Sequence, residues 1–369
     1  MLSSAKRIVI KLGSSLMIGE GNVLREDWLT TLVQDIAALK AQGKTVVVVT
    51  SGAVALGRGA LGYGARPLIL EEKQAAAACG QITLIAMWQQ ALRKAGLHPA
   101  QLLITAEDSI HRTRYLNARN TLAELLAASN IIPVVNENDT VATAELKFGD
   151  NDRLAARVAH LVEADTLILF SDVDGLYTGN PATDRNAKRL EIVENITPDI
   201  EKMAGGAASN LSSGGMATKV AAAKLATAAG CNMIIAAGKQ DHPLKALLDG
   251  GAHTFFKAKG TPRSARKEWI AGSLHPSGVI ILDDGAAKAL LSGKSLLPAG
   301  VIKVEGDFGL GAAVEIKDTA GQLLGKGLIT YGAADTRRIM GKKSSEIEAI
   351  LGFKRRDVLI HRDDMVLES

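Results

Sequence analysis

The chain has 369 residues, of which 47 % are apolar and 22 % are charged. This composition is typical of a folded protein with two domains or one large α/β domain, and it argues against disorder. The net charge of +4 is too small by itself to predict nucleic acid or an anionic membrane as a partner.

The sequence contains no apolar stretch of the ~18–20 residues that are needed to span a bilayer and no recognisable secretory signal, so we expect a cytoplasmic protein without a membrane partner. Its two cysteines, Cys79 and Cys231, lie far apart and lack the spacing of zinc ligands or of a disulfide framework. We therefore expect buried, reduced thiols and no structural metal site.

Six short apolar segments, separated by Ala- and Leu-rich stretches with helical spacing, predict βαβ units. Continuous apolar character is typical of strands that are buried on both faces of a parallel sheet. We therefore predict an α/β fold, with an open, mainly parallel sheet sandwiched by helices. The predicted strands are residues 7–12, 45–50, 101–105, 131–135, 166–170 and 232–236.

The stretch between the first two strands has apolar residues three and four positions apart, which predicts an amphipathic crossover helix. Asp27 is placed to cap its beginning, and Gly43 lies just beyond its end. The apolar positions are Leu29, Leu32, Val33, Ile36 and Leu39.

The pattern changes at residues 260–272, GTPRSARKEWIAG, which are charged and show no apolar period. We place a domain boundary here, with a first domain at 1–262, a linker at 263–275 and a second domain at 276–369. From Gly278 onward, short alternating segments with closely spaced glycines predict a small β-rich barrel with one or two helices.

Ligands of an open parallel sheet bind beyond the carboxyl ends of the strands, so the residues that follow each strand are candidates for a site. Lys11 ends the first strand and precedes Gly13, and a lysine there can hold a phosphate as a point charge. A solvated lysine at a strand end is the alternative. Residues 50–53 (TSGA) run directly into a helical segment whose backbone N–H groups suit an anion, with a helix cap that binds nothing as the alternative.

Two clusters, residues 136–139 (NEND) and 149–152 (GDND), contain more short polar side chains than a turn requires, which favours a binding site. Residues 212–219 (SSGGMATK) place a glycine-rich loop and a lysine at a helix start, which suits a triphosphate although the spacing is not that of a Walker A loop. A flexible loop is the alternative. The GxGxxG match at residues 57–62 lies too far beyond its strand for a dinucleotide fingerprint and is set aside.

Taken in order, these segments strongly resemble the glutamate 5-kinases of the amino acid kinase family, whose bacterial members carry a C-terminal PUA domain. The resemblance covers essentially the whole chain, and the GDND and GGMATK segments together are its most specific part. The matching segments are VIKLGSS, VVTSGAVALG, LNARNTL, PVVNENDTVAT, FGDNDRLAA, SDVDGLYTGNP, GGMATK, SLLPAGV and HRDDM.

The resemblance implies an ATP-dependent kinase that phosphorylates the side-chain carboxylate of L-glutamate, in the first step of proline synthesis and with proline as inhibitor. It implies that Lys11 and Lys219 neutralise the phosphoryl group in transfer and that Asp152 holds both lysines in place. The residues expected to contact the amino acid are Ser51, Gly52, Asp139 and Asn151. Those expected to contact ATP are Lys11, Ser171, Asp172, Ser213, Gly214, Gly215, Met216, Ala217, Thr218 and Lys219.

The implied chemistry agrees with the residues present. The glutamate carboxylate, with an unperturbed pKa of ~4.3, is ionised at pH 7, so its attack on the γ-phosphate needs no general base. None of the seven histidines falls in the candidate segments. Mg²⁺ bound chiefly to the ATP phosphates would supply the remaining charge neutralisation.

Kinases of the same fold that act on N-acetylglutamate, aspartate, carbamate or UMP are the nearest alternatives. PUA domains commonly occur in RNA-modifying enzymes, but residues 276–369 contain 13 Lys and Arg against 13 Asp and Glu, which argues against strong general RNA binding. A homo-oligomer, either a dimer or a tetramer, is expected, because kinases of this fold usually self-associate and the Ala-rich helix predicted around residues 71–94 offers apolar surface.

Overall fold

A computed structural model of the chain describes residues 4–19, 23–109, 111–142, 151–205, 215–273 and 275–368. The chain divides into two units, Met1–Pro262 and Arg263–Ser369. None of the helices within the described ranges combines the length and the apolar character that a bilayer crossing requires.

The first unit is built from alternating strands and helices. Its strands are β1 (Arg7–Leu12), β2 (Thr45–Val49), β3 (His98–Ile104), β4 (Ile131–Glu137), β5 (Thr166–Ser171), β6 (Ile192–Val193), β7 (Asn232–Ala237) and β8 (His253–Phe256). Its helices are α1 (Ser14–Met17), α2 (Glu26–Ala41), α3 (Ala53–Ala60), α4 (Leu70–Lys94), α5 (Arg112–Ala127), α6 (Asn151–Leu161), α7 (Pro198–Met203), α8 (Met216–Ala228) and α9 (Pro243–Leu248), with a 3₁₀ turn at Glu107–Ser109.

All eight strands form one sheet, in the order β3-β4-β2-β1-β5-β7-β8-β6. Neighbouring strands are parallel except β7 and β8, which are antiparallel. An extensive apolar core joins residues of β1, β2, β4 and β5 to the inner faces of α2 and α4. The prediction of a mainly parallel sheet flanked by helices is therefore confirmed.

Five of the six predicted strands begin at the predicted residue, and their central residues are buried as expected. The exception is β3, which begins at His98 and has exposed positions, among them Leu103 at 38 %. The expectation that this strand is buried on both faces is wrong. The reason is its place in the sheet, because β3 stands at the end of the strand order and, among the strands that the structure describes, pairs with β4 alone.

Helix α2 covers the predicted amphipathic stretch and buries its five predicted apolar positions. Its N-cap is Arg25, and Asp27 lies within the first turn, so the prediction that Asp27 caps the helix is wrong. An acidic residue in that turn still interacts favourably with the positive end of the helix dipole. Gly43 follows the helix with φ of +77°, as its predicted position beyond the end requires.

Helices α3 and α4 pack backbone against backbone at two glycines. A Cβ atom at Gly57 would lie 1.8 Å from the carbonyl oxygen of Ala76, and one at Gly80 would lie 1.9 Å from that of Ala53. Any larger residue at either position would force the helices apart. The first glycine of the GxGxxG match thus serves helix packing.

The second unit contains a five-stranded sheet in the order β10-β9-β11-β12-β13, in which only β9 and β11 are parallel. Its strands are β9 (Gly278–Leu282), β10 (Val301–Gly306), β11 (Ala313–Lys317), β12 (Leu323–Leu328) and β13 (Met365–Leu367). Its helices are α10 (Pro262–Ser273), α11 (Asp284–Leu291), α12 (Ala333–Ile339) and α13 (Ile347–Leu351), with 3₁₀ turns at Pro298–Gly300, Ser344–Glu346 and Arg362–Asp364.

The segment interpreted as a linker, residues 263–275, is helical up to Ser273 and belongs to the second unit from Arg263 onward. Two buried residues anchor it. Ile270 packs against β11 and β12, and Arg266, only 2 % exposed, forms an ion pair of 2.5 Å with Asp364. The apolar contact of Ile270 and the buried ion pair of Arg266 are made with distant parts of the unit, which an apolar period in the sequence does not reveal.

Candidate active site

Polar side chains stand at the carboxyl ends of four neighbouring strands. Lys11 lies near the end of β1, Thr50 directly follows β2, Asn136 lies near the end of β4, and Ser171 ends β5. Because β4, β2, β1 and β5 are adjacent in the sheet, these residues lie side by side along one edge. Helix α6 begins with Asn151 and Asp152 and brings both to this edge.

A buried cluster of one carboxylate and two ammonium groups lies at the centre of this edge. Asp152 Oδ1 is 2.5 Å from Lys11 Nζ, and Asp152 Oδ2 is 3.3 Å from Lys219 Nζ. Thr218 Oγ1 donates to the same Oδ2 at 2.9 Å. The exposures are 1 % for Asp152, 6 % for Lys11 and 4 % for Lys219, so the three charges lie where water screens them little.

Asp152 is held in its ionised form by its neighbours. Burial alone would raise its pKa, but the charges of Lys11 and Lys219, together with hydrogen bonds from Lys11 and Thr218, outweigh burial and hold the pKa below its ordinary value. The three side chains together carry one net positive charge. A cluster of this kind attracts a polyanion and does not remove protons from it.

The first turn of α8 lies against this cluster. Gly215 is the N-cap of α8 and accepts a hydrogen bond of 2.8 Å from Thr218 through its carbonyl oxygen. Met216 and Ala217 begin the helix, whose N-terminal N–H groups suit a phosphate. Of the residues expected to contact ATP, Ser213 and Gly214 lie outside the described residues. Gly149 and Asp150, from the separate GDND segment, also lie outside them.

Ser171 and Asp172 form a pair at the end of β5. Ser171 Oγ donates to Asp172 Oδ1 at 2.8 Å, and this hydrogen bond, with the positive charges of Lys219 and Lys239, lowers the pKa of Asp172. The pair therefore shares the electrostatic environment of the lysine cluster.

A neutral hydrogen-bond network adjoins the charged cluster. Asn151 Nδ2 donates to the carbonyl oxygen of Thr50 at 2.9 Å, to Ser51 Oγ at 2.7 Å and to Asn136 Oδ1 at 3.2 Å. Asn136 Nδ2 in turn donates to Gln81 Oε1 of α4 at 2.8 Å. Asn151 Oδ1 is buried and has no hydrogen-bond partner among the residues that the structure describes. The Asn151 side chain is therefore held through its nitrogen, and its oxygen is placed to accept a hydrogen bond from a ligand.

Two further residues expected to contact the amino acid differ in how they are placed. Gly52 has φ of +107°, a left-handed conformation that permits the turn from β2 into α3 next to Ser51. Asp139 is half-buried, and burial together with repulsion by Glu137 raises its pKa to about 7. A carboxyl group with this pKa is poised to gain a partner of opposite charge.

Comparison with known proteins gives the family. The model of the amino acid kinase family matches residues 6–237, and that of the PUA domain matches residues 278–351. The chain belongs to the amino acid kinase family. The predicted family, its PUA domain and the assignment of the chain as a kinase are thereby confirmed.

Relatives named glutamate 5-kinase match this kinase along its whole length. The relative from Paramagnetospirillum magneticum is 55 % identical over 369 residues, which cover 100 % of this chain and 99 % of that protein. The relative from Agrobacterium fabrum is 54 % identical over 366 residues, covering 99 % of this chain and 94 % of that protein. The relative from Ruegeria sp. is 55 % identical over 367 residues, covering 99 % of each.

The kinase thus brings most of the sequence-predicted residues to one sheet edge: Lys11, Lys219, Thr218 and Asp152 in the charged cluster, and Ser51 and Asn151 in the network beside it. Sequence reasoning missed Gln81 and the structural role of Thr50. Gln81 lies inside a helix of ordinary composition, and its partner Asn136 is 55 residues away, so no local signal pointed to it. Thr50 was predicted only as a strand end and as part of the candidate anion site at residues 50–53, although its carbonyl oxygen accepts a hydrogen bond from Asn151.

Proposed function

We propose that this kinase transfers the γ-phosphoryl group of ATP to the side-chain carboxylate of L-glutamate and forms L-glutamyl 5-phosphate, the first step of proline synthesis. The observation that carries the proposal is the placement of two buried ammonium groups on the single carboxylate of Asp152, at 2.5 and 3.3 Å. Two cations with one net positive charge suit the transfer of a negatively charged group between two oxygen anions.

The residues present fit ATP. Lys11 and Lys219, the N-terminus of α8 and the Ser171–Asp172 pair offer cations and N–H groups for the phosphates and polar contacts for the nucleotide. Each oxygen of Asp152 already forms an ion pair with a lysine, Oδ1 with Lys11 at 2.5 Å and Oδ2 with Lys219 at 3.3 Å. Mg²⁺ would therefore be held chiefly by the ATP phosphates, where it supplies further neutralisation of charge.

The amino acid would bind beside the lysines, at Ser51, Gly52, Asn151 and Asp139. Asp139 would accept the ammonium group, because burial and the charge of Glu137 raise its pKa to about 7 and a bound cation would offset both effects. The reacting carboxylate is ionised at neutral pH and attacks without a general base. The relatives named glutamate 5-kinase, which match from end to end, support glutamate over the other carboxylates and UMP.

The decisive experiment measures ADP release with ATP, Mg²⁺ and a panel of glutamate, N-acetylglutamate, aspartate, carbamate and UMP, and traps the acyl phosphate as its hydroxamate. Glutamate-dependent ADP release with hydroxamate formation is expected. ADP release with another compound of the panel, and none with glutamate, would identify that compound as the substrate. Salt-sensitive RNA binding with no ADP release would indicate an RNA-binding protein on a kinase fold.

We further propose that the kinase acts in the cytoplasm, is inhibited by proline, and self-associates through the outer face of α4. That face carries Ala78, Ile82 and Ala86, one helical turn apart, and Ile82 is 72 % exposed. An apolar stripe of small residues around an exposed isoleucine fits a second copy of the same helix. Light scattering should show a dimer or tetramer, and Ile82→Glu should dissociate it. Addition of proline should lower the rate of ADP release.

A further inference from the structure

The orientation of three amide side chains near the substrate site is fixed by one backbone oxygen. The Thr50 carbonyl can only accept a hydrogen bond, so the atom of Asn151 that lies 2.9 Å from it must be the nitrogen. The two hydrogens of this nitrogen are shared among three acceptors, Thr50 at 2.9 Å, Ser51 at 2.7 Å and Asn136 at 3.2 Å, so the Asn136 atom that faces it must be the oxygen. The other end of the Asn136 amide is therefore its nitrogen, and Gln81 must present an oxygen to it.

Gln81 lies at the far end of this chain of hydrogen bonds and determines the orientation of the Asn136 amide. Asn136 is only 2 % exposed, so its amide cannot exchange protein partners for water without cost. With the Gln81 oxygen in place, Asn136 keeps its own oxygen towards Asn151. If position 81 offered a donor instead, Asn136 would turn its oxygen towards that donor and its nitrogen towards Asn151 Nδ2. Two donors would then face each other, and Asn151 would have to turn or lose a partner.

The orientation of Asn151 decides what the site can recognise. As placed, Nδ2 is occupied by protein acceptors, and Oδ1 is buried without a partner among the described residues. A buried acceptor of this kind favours a ligand with an N–H donor and disfavours one that lacks it, because the latter leaves the oxygen unsatisfied. The ammonium group of a free amino acid is such a donor.

We propose that Gln81 is a positioning residue for substrate specificity: through Asn136 it holds the Asn151 amide with its oxygen available to the ammonium group of the amino acid. The inference rests on the proposed function, since it concerns the same amino acid site. Gln81 touches neither reacting group, and its effect passes entirely through the two asparagines.

The test uses three substitutions that differ in hydrogen-bond character at one position. Gln81→Glu keeps the acceptor, Gln81→Met removes it, and Gln81→Lys replaces it with a donor. The KM for glutamate should stay within about twofold in Gln81→Glu, rise about fivefold in Gln81→Met and rise more in Gln81→Lys, as expected for the loss and then the inversion of one buried hydrogen bond. The KM for ATP should be unchanged throughout. Gln42→Met, exposed at the end of α2, is the matched control and should match the unmodified kinase.

A role in packing alone makes the opposite prediction. In that case Gln81→Met, which keeps volume and adds no charge, would be the mildest change, and Gln81→Glu would be more harmful. Glutarate, which is glutamate without its ammonium group, gives a second readout. The ratio of kcat/KM for glutamate to kcat/KM for glutarate should shrink in Gln81→Lys. A site that is merely destabilised would lower both values by the same factor and leave the ratio unchanged.

The outcomes separate the two proposals. If the unmodified kinase shows no glutamate-dependent ADP release, the proposed function fails. If it phosphorylates glutamate but the Gln81 series ranks by volume, or leaves the glutamate-to-glutarate preference unchanged, only the role of Gln81 is overturned. Circular dichroism melting of each variant identifies misfolded protein, and Gln81→Glu against Gln81→Met then decides the question without Gln81→Lys.

Discussion

Asp152 and Asn151 are neighbours at the start of α6, yet they organise two different halves of the site. Asp152 gathers two lysines into a cluster governed by charge, whereas Asn151 joins a neutral network governed by the direction of hydrogen bonds. Successive residues in the first turn of a helix point in different directions, so one turn serves both halves. We therefore expect substitutions in the charged half to lower the rate of phosphoryl transfer and substitutions in the neutral half to weaken the binding of the amino acid.

The largest effect is expected at Lys219. Lys219→Met removes one of two cations from the charged half, so kcat should fall about a thousandfold, while the KM for glutamate stays within about threefold. Steady-state ADP release measures both. Lys224→Met, exposed on the same helix, is the control and should change neither. An unchanged kcat in Lys219→Met would remove this lysine from the chemistry.

Asp152→Asn should damage both rate and stability, because it leaves two buried ammonium groups without their carboxylate. We expect a loss of about 3 kcal/mol or more in the free energy of unfolding in urea and a fall of about a hundredfold in kcat. Asp199→Asn, on an exposed pair with Lys202, should leave both nearly unchanged. Equal stability of Asp152→Asn and the unmodified kinase would contradict the charged cluster.

The same carboxylate predicts part of the acid sensitivity of the fold. The pKa of Asp152 is held below its ordinary value, so its ionised form contributes stability that is present above about pH 4 and is lost as the pH falls through the folded-state pKa. Urea unfolding from pH 6 downward should show a shallower acid-side loss in Asp152→Asn than in the unmodified kinase. Parallel slopes would mean that other carboxylates dominate.

Asp139 predicts a pH dependence in the binding of the amino acid. Because the pKa of Asp139 is raised to about 7, its ionised form predominates in the free kinase above that pH, and this is the form that attracts the substrate ammonium. The kcat/KM for glutamate should therefore rise about tenfold per pH unit below 7 and level off above it. The same measurement on Asp139→Asn gives the pH dependence of kcat/KM that comes from MgATP. The profile of this variant should be flatter than that of the unmodified kinase. A slope retained in Asp139→Asn would assign it to another group.

The smallest effect is expected at Ser51. Ser51→Ala removes a neutral hydroxyl that accepts from Asn151 and is proposed to contact the amino acid, while Asn151 retains Thr50 and Asn136 as acceptors. The KM for glutamate should rise about threefold to tenfold, with kcat within about twofold. A fall in kcat equal to that of Lys219→Met would show that the two halves do not act separately.

The charged half could be anticipated from sequence more fully than the neutral half. Lys11 at a strand end, the polar cluster at 149–152 and the lysine of the 212–219 loop were candidates from the pattern, whereas the pairing of both lysines with Asp152 was implied by the family resemblance. The network depends instead on Gln81, whose position in a helix gives no sign that it faces Asn136. The same limit explains β3 and α10. Burial of an edge strand and anchoring of a short helix by Arg266 are decided by distant partners, which local patterns do not contain.

The contact between α3 and α4 makes these two helices one rigid block. Gly57 and Gly80 leave no side chain between the backbones that could absorb a slide of one helix along the other. Ser51 lies just before this block, Gln81 lies within it, and Ile82 projects from its outer surface. If a second copy of the chain packs on Ile82, a shift of α4 there would also move Gln81, the preceding residue. Self-association and substrate selection would then be coupled through the position of α4.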